Sequence, residues 1–246
     1  MKKTFLFSML MIVLSGCAHK NDSGKETRHS YRVALEDSIR NVTAEIDSCN
    51  DVAASLSDKV SGLLPEFRSV EKAKEVEGYT IFQGWESRYP LQATGMVARL
   101  SASLQLELVA VLKGGEFDRI RVNVPSASAE SAVVPFDQAL NYRQGGLNTV
   151  LFSGNETDSI AKLIADNELN PITVTFLNGG KATGTWKMPN DYAKMISMTY
   201  ILYSSNKEQR RLTQLSLKLN EKLKLLRRHQ ESEKEKAEKS EKPEDK

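Results

Sequence analysis

Three histidines, two cysteines and two tryptophans bound the chemistry open to this chain of 246 residues. His19, His29 and His229 all lie outside the central stretch that has the composition of a compact domain. A Ser-His-Asp triad, a Cys-His dyad or a histidine zinc site therefore has no histidine to draw on there. Carboxylates remain for acid–base work. A glycosidase needs two of them across a cleft, and Glu107, Glu116, Asp118, Glu130, Asp137, Glu156, Asp158, Asp166, Glu168 and Asp191 have no spacing that selects a pair. No phosphate-binding loop, dinucleotide fingerprint, paired-cysteine knuckle or EF-hand loop occurs in the sequence. The expectation is a protein that is not an enzyme and holds no metal or diffusible cofactor. Aromatic residues offer a different chemistry. Trp85 and Tyr89 sit in Gly84-Trp85-Glu86-Ser87-Arg88-Tyr89, and Trp186 precedes Lys187 in a strand-like run. Trp85, Tyr89 and Trp186 could stack on a sugar, though such side chains fill β cores more often.

Cys17 has the most specific surroundings. Lys2 and Lys3 precede an apolar run from Phe5 to Leu14, and Leu14-Ser15-Gly16-Cys17 follows. The run is too short for a permanent transmembrane helix, which needs about 20 residues, and has the form of a signal-peptide core. These 17 residues resemble the bacterial lipoprotein class, whose lipobox reads Leu-Ser-Gly-Cys here. The resemblance implies that residues 1–16 are removed and that Cys17 becomes a lipidated N-terminus. Acyl chains hold a protein on a membrane because each buried methylene contributes about 0.8 kcal/mol. Ala18 lacks resemblance to the aspartate that retains enterobacterial lipoproteins at the inner membrane, so the expected location is the cell envelope, at the outer membrane. With 34 basic and 32 acidic side chains, the chain has no general basic excess for nucleic acid. Once Cys17 is lipidated, Cys49 is the remaining thiol, so the fold must rest on packing.

The elements that would position these groups fall into a simple order. Residues 18–30 are polar and read as a tether from the lipid. Leu35, Ile39, Val42, Ile46, Cys49, Ala53, Leu56, Val60, Leu63, Phe67 and Val70 then follow an alternating spacing of four and three. That heptad pattern predicts a helix over 31–77, roughly 70 Å long at 1.5 Å per residue, with a kink or break near Gly62 and Pro65. From Gly78 the period becomes two. Strands are expected at 104–112, 120–124, 172–176 and 196–202, with Asn178-Gly179-Gly180 as a hairpin turn. A short helix is expected from about Thr157 to Asn167, capped by Asn155, Thr157 or Asp158. Leu212, Leu215, Leu219, Leu223 and Leu226 mark a basic helix over 205–230, and residues 231–246 form a charged tail.

The fold class expected is α+β: an antiparallel β sandwich or barrel-like domain, residues 78–204, inserted between two long coiled-coil-forming helices. The functional expectation is a lipid-anchored, non-enzymatic envelope scaffold or assembly component. A helical stalk would present the β domain for protein binding. Its partners would be membrane lipid through Cys17, an envelope protein and, if the helix over 31–77 self-associates through the seam that carries Cys49, a second copy. A glycan-binding surface lipoprotein is the second reading and a carboxylate-dependent hydrolase the third.

Overall fold

The computed structural model describes residues 23–71, 78–137 and 139–241. The chain is α+β, with two antiparallel sheets and two long helices. Helix α1 (Ser23–Leu63) ends one residue after Gly62. Pro65 lies in a 3-10 turn of Leu64–Glu66, so the break expected there occurs. The chain then turns extended. Phe67 and Val70, read as the last seam positions of a helix reaching residue 77, belong instead to strand β1 (Phe67–Val70). Residues 72–77 lie outside the described residues.

Among the described residues, ten strands make the two sheets. β1, β2 (Tyr79–Phe82), β3 (Gly95–Ser101), β4 (Leu106–Lys113), β8 (Leu147–Ser153) and β7 (Asn141–Gln144) form the first, in the order β1-β2-β3-β4-β8-β7. β10 (Lys181–Lys187), β9 (Thr173–Asn178), β5 (Arg119–Val124) and β6 (Ala127–Glu130) form the second, in that order. Both sheets are open at their edges, so the barrel-like alternative does not occur. The expected hairpin joins β9 to β10, with Asn178 opposite Lys181. Gly179 and Gly180 take φ of +55° and +81°, a conformation that suits a two-residue turn and that side chains resist.

The alternation in 104–112 predicts a strand with one wet face. In β4, however, Leu106, Leu108, Val109, Ala110, Val111 and Leu112 are all buried. A central strand covered on both faces retains only Glu107 as a sign of alternation. The sheets share one hydrophobic cluster that includes Leu108 and Phe152 of the first and Ile120, Val174 and Phe176 of the second. They approach closely at Gly184, where an added Cβ would lie 2.9 Å from Leu112 Cδ1.

Helix α2 (Asn155–Asp166) buries Thr157, Ile160, Ala161 and Ile164. Its N-cap is Gly154, with no side-chain cap, so none of the three expected capping residues takes that part. Helix α3 (Asn190–Glu241) contains the largest departure from the sequence reading. Residues 196–202, read as a strand, are helical, and so are residues 231–241 of the expected tail. The strands therefore span Phe67 to Lys187 rather than 78–204, and the C-terminal helix starts at Asn190 rather than 205. Pro189 supplies the helix start, its carbonyl accepting from the N–H groups of Tyr192 and Ala193.

The chain divides into two compact units. One contains α1 up to Asp47 and α3 from Lys218. There Leu35, Val42 and Ile46 are buried on α1 and Leu219 and Leu223 on α3, while the Tyr31 hydroxyl meets His229 Nε2 at 2.5 Å. The other unit, Ser48–Leu217, holds the sheets, α2 and the remaining helix segments. In it Cys49 and Val60 are buried on α1 and Leu212 and Ser216 on α3, with Ser216 Oγ 2.8 Å from Asn50 Oδ1. The residues spaced by four and three are thus the covered stripe of α1 in each unit.

Candidate functional site

Cys17 lies outside the described residues. Trp85, Tyr89 and Trp186 are all within the second unit, and the fold separates them into two aromatic groups. Trp85 and Trp186 meet around Tyr192 of α3, with ring centroids 4.5 Å and 5.0 Å from the tyrosine. Both contacts are edge-on, the arrangement that aromatic quadrupoles favour. Gly95 makes room for the group: a Cβ there would lie 3.4 Å from Tyr192 and 3.7 Å from Trp186. Arg88 stands over the Trp85 ring at 4.7 Å and is held by Asp191 at 2.9 Å. Trp85 is 5% exposed, which leaves little of its face for a ligand. Trp186 is half-buried and retains some accessible surface.

Tyr89 belongs to the second group. Its ring lies 5.2 Å from that of Tyr79, and Arg99 lies over both, 4.9 Å from Tyr79 and 5.5 Å from Tyr89. Arg99 Nε donates to Glu107 at 2.7 Å and its Nη1 donates to the Tyr89 hydroxyl at 2.9 Å. The two charged side chains are 13% and 15% exposed, so this ion pair is largely desolvated. Burial pushes both tyrosine hydroxyls above their ordinary range, against the pull of the Arg99 cation. They remain neutral at physiological pH.

The carboxylates are mostly engaged. Glu130 is gripped by Arg119 and Arg121, which hold it below the usual glutamate range. Asp137 accepts the backbone N–H groups of Leu140, Ala139 and Asn141 through one oxygen and is likewise held low. Asp158 accepts from Tyr203 at 2.9 Å and from Lys207 at 2.7 Å. Asp166 pairs with Lys162. Glu116, bound to Arg143, and Asp118 line one cleft of about 120 Å³ with Phe117, Pro135, Phe136 and Asn178. Asp118 Oδ2 accepts from Gly179 N–H at 3.1 Å, while its Oδ1 is buried without a partner. Two of the candidate acids thus share this cleft, and two others, Asp166 and Glu168, line a more open hollow at the end of α2.

Beneath this cleft lies a polar arrangement that the sequence reading did not single out. Asn148 is 2% exposed and Asn141 3%. The Asn148 amide donates to Asn141 Oδ1 and Tyr142 O, and accepts from Phe117 N–H. Asn141 in turn donates to Phe117 O and Val134 O. The pair ties the loop after β4 to the β7–β8 hairpin. Tyr192 and Arg99 were also missed. Arg88 was visible between Trp85 and Tyr89, but Tyr192 lay in a stretch that did not read as helix.

Among the described residues no group of three or more His, Cys, Asp and Glu side chains is placed to hold a metal. None of their helices is long and apolar enough to cross a membrane. No protein-family model, curated protein or solved structure matches this chain.

Proposed function

We propose that this chain is a lipid-anchored, non-enzymatic component of a bacterial cell envelope, a scaffold or assembly factor whose β region binds another envelope protein. The observation that carries the reading is Leu14-Ser15-Gly16-Cys17 after two lysines and an apolar run. Cys17 would carry the lipid at the outer membrane, and the two long helices would pair as a coiled coil. The engagement of Trp85 by Arg88 and Tyr192 favours protein binding over glycan stacking. The engagement of most candidate acids by cations or backbone donors favours binding over hydrolysis.

Two measurements test this. Metabolic labelling with a fatty acid should mark the chain, and Cys17→Ala should abolish the label and release the protein from membranes. Photo-crosslinking in the native cell, from sites spread over residues 79–187, should yield one abundant protein adduct. A labelled, folded protein that gives no adduct at any site would end the scaffold reading.

A further inference from the structure

Helix α3 carries leucines on two faces, and one of those faces is exposed. In the unit that contains the first half of α1, Leu219 and Leu223 are buried. Leu225 is 63% exposed. At 100° per residue, it falls on a stripe with Lys218, Lys222 and Arg228, roughly opposite the buried pair. All three cations are exposed. Glu221 falls within the stripe, between Arg228 and Leu225, and is bound by Lys224, which neutralises it. Between 218 and 228 the helix has five cations, Lys218, Lys222, Lys224, Arg227 and Arg228, against the one acid Glu221. Tyr31 of α1 touches His229, so the stripe ends within a turn of a contact near the start of α1.

We propose that this stripe rests on the anionic phospholipid headgroups of the membrane that holds the Cys17 lipid. The proposal builds on the lipid-anchor reading and adds how the anchored end of the chain meets the bilayer. Long cationic side chains place their heads among phosphates while their stems cover apolar surface, and a leucine between them enters the interface. α1 in the same unit carries Glu36, Asp37, Glu45 and Asp47, so the unit as a whole has little net charge. Attraction to a headgroup layer nevertheless falls off within about a Debye length. The side chains turned to the membrane therefore decide the contact, and the stripe is the cationic side. The acyl chains fix the end of the chain to the membrane but leave the orientation of the helices free. A basic stripe then selects the orientation, with each cation near the surface favouring it about fivefold.

The test uses the full lipidated chain with Cys49→Ser and Leu225→Cys. It is reconstituted into vesicles of phosphatidylcholine alone and of phosphatidylcholine with phosphatidylglycerol. The lipid anchor holds it on both, so the alkylation rate at position 225 by a water-soluble maleimide reports the stripe. The rate should fall about tenfold on the anionic vesicles and recover in high salt or with Lys218→Glu, Lys222→Glu and Arg228→Glu together. Equal rates on both vesicles overturn the proposal. Equal protection on both that grows with protein density overturns it in favour of a second copy on this face. Failure of the anchor reading is read separately, from the mass of the N-terminal peptide. An unlipidated chain is then tested by flotation, where binding to anionic vesicles alone supports the stripe and binding to neither overturns it.

Discussion

Asn148 shows how much one neutral side chain can hold. It is buried, donates two hydrogen bonds and accepts one. Asn148→Asp keeps the acceptor for Phe117 N–H but turns both donors into a carboxylate facing two oxygens. Chemical denaturation at neutral pH should show a loss of about 3 kcal/mol. The new carboxyl is disfavoured as an anion in the fold, so its folded pKa rises above the unfolded one. The loss should therefore shrink as pH falls below neutrality towards the ordinary aspartate range, and a pH-independent penalty would contradict the geometry. Glu130 has the opposite sign. Arg121 and Arg119 hold it below its ordinary value, so its contribution is present above the unfolded glutamate pKa. It is lost as pH falls through the lowered folded value. Glu130→Gln should flatten the acid limb of stability against pH and leave the limb above neutrality unchanged. Glu107→Ala would strand Arg99 between two tyrosines, mostly out of water, at a cost of about 3 kcal/mol by the same denaturation measurement.

Between elements, the contact that most clearly joins α2 to α3 is Asp158 with Tyr203 and Lys207. Lys207 Nζ lies 3.0 Å from the tyrosine oxygen and 2.7 Å from the carboxylate. Both raise the ammonium well above the ordinary lysine range, so its contribution is complete below that range and fades only as pH passes the raised value. The lysine is 58% exposed, which screens the pair, so Lys207→Met should cost only about 0.5 kcal/mol. Tyr203→Phe, at a buried position, should cost about 1 kcal/mol. Amide exchange in α2 should rise in both variants, and unchanged protection would mean that packing alone seats the helix. The same junction explains where sequence reading stopped. α1 was legible because a helix with one covered stripe repeats its pattern at every turn, and Leu35, Val42, Ile46, Cys49 and Val60 record it. β5, β9 and the Asn178-Gly179-Gly180 turn were legible by alternation and turn chemistry. Residues 193–203 were not: Ala193, Met195, Ile196, Ser197, Thr199, Leu202 and Tyr203 are all buried. A helix covered on several sides loses its amphipathic period, and here the apolar residues at 196, 198, 200 and 202 imitate a strand. Thr199, a poor helix former, is accommodated by donating to Met195 O. Of the proposed aromatic site, the types were legible, but their partners were not, because Trp85 and Trp186 meet only through Tyr192.

At the scale of the molecule, the question is whether α1 pairs with α3 of its own chain or with another α1. A parallel pair of α1 helices would place two Cys49 thiols on one seam. In the folded chain Cys49 is 7% exposed, and the adjacent Asn50 receives the Ser216 hydroxyl of α3. The position is thus already filled by the chain's own second helix. A second α1 would have to displace it, exposing Leu212 and leaving Asn50 and Ser216 to water. Burying the same apolar stripe in either pairing contributes similar energy, but the internal partner is present at high effective concentration and a second chain is not. In its native state the protein should therefore run as a monomer by light scattering, with no Cys49-linked dimer under mild oxidation. Its Cys49 should react with an aromatic disulfide reagent slowly, at the rate of local opening, and fast once the chain is unfolded. Leu212→Ala and Leu219→Ala together should speed that reaction in the monomer by weakening the internal seam. Rapid disulfide dimerisation of the unmodified chain at low protein concentration would mean instead that α1 is free to find its counterpart.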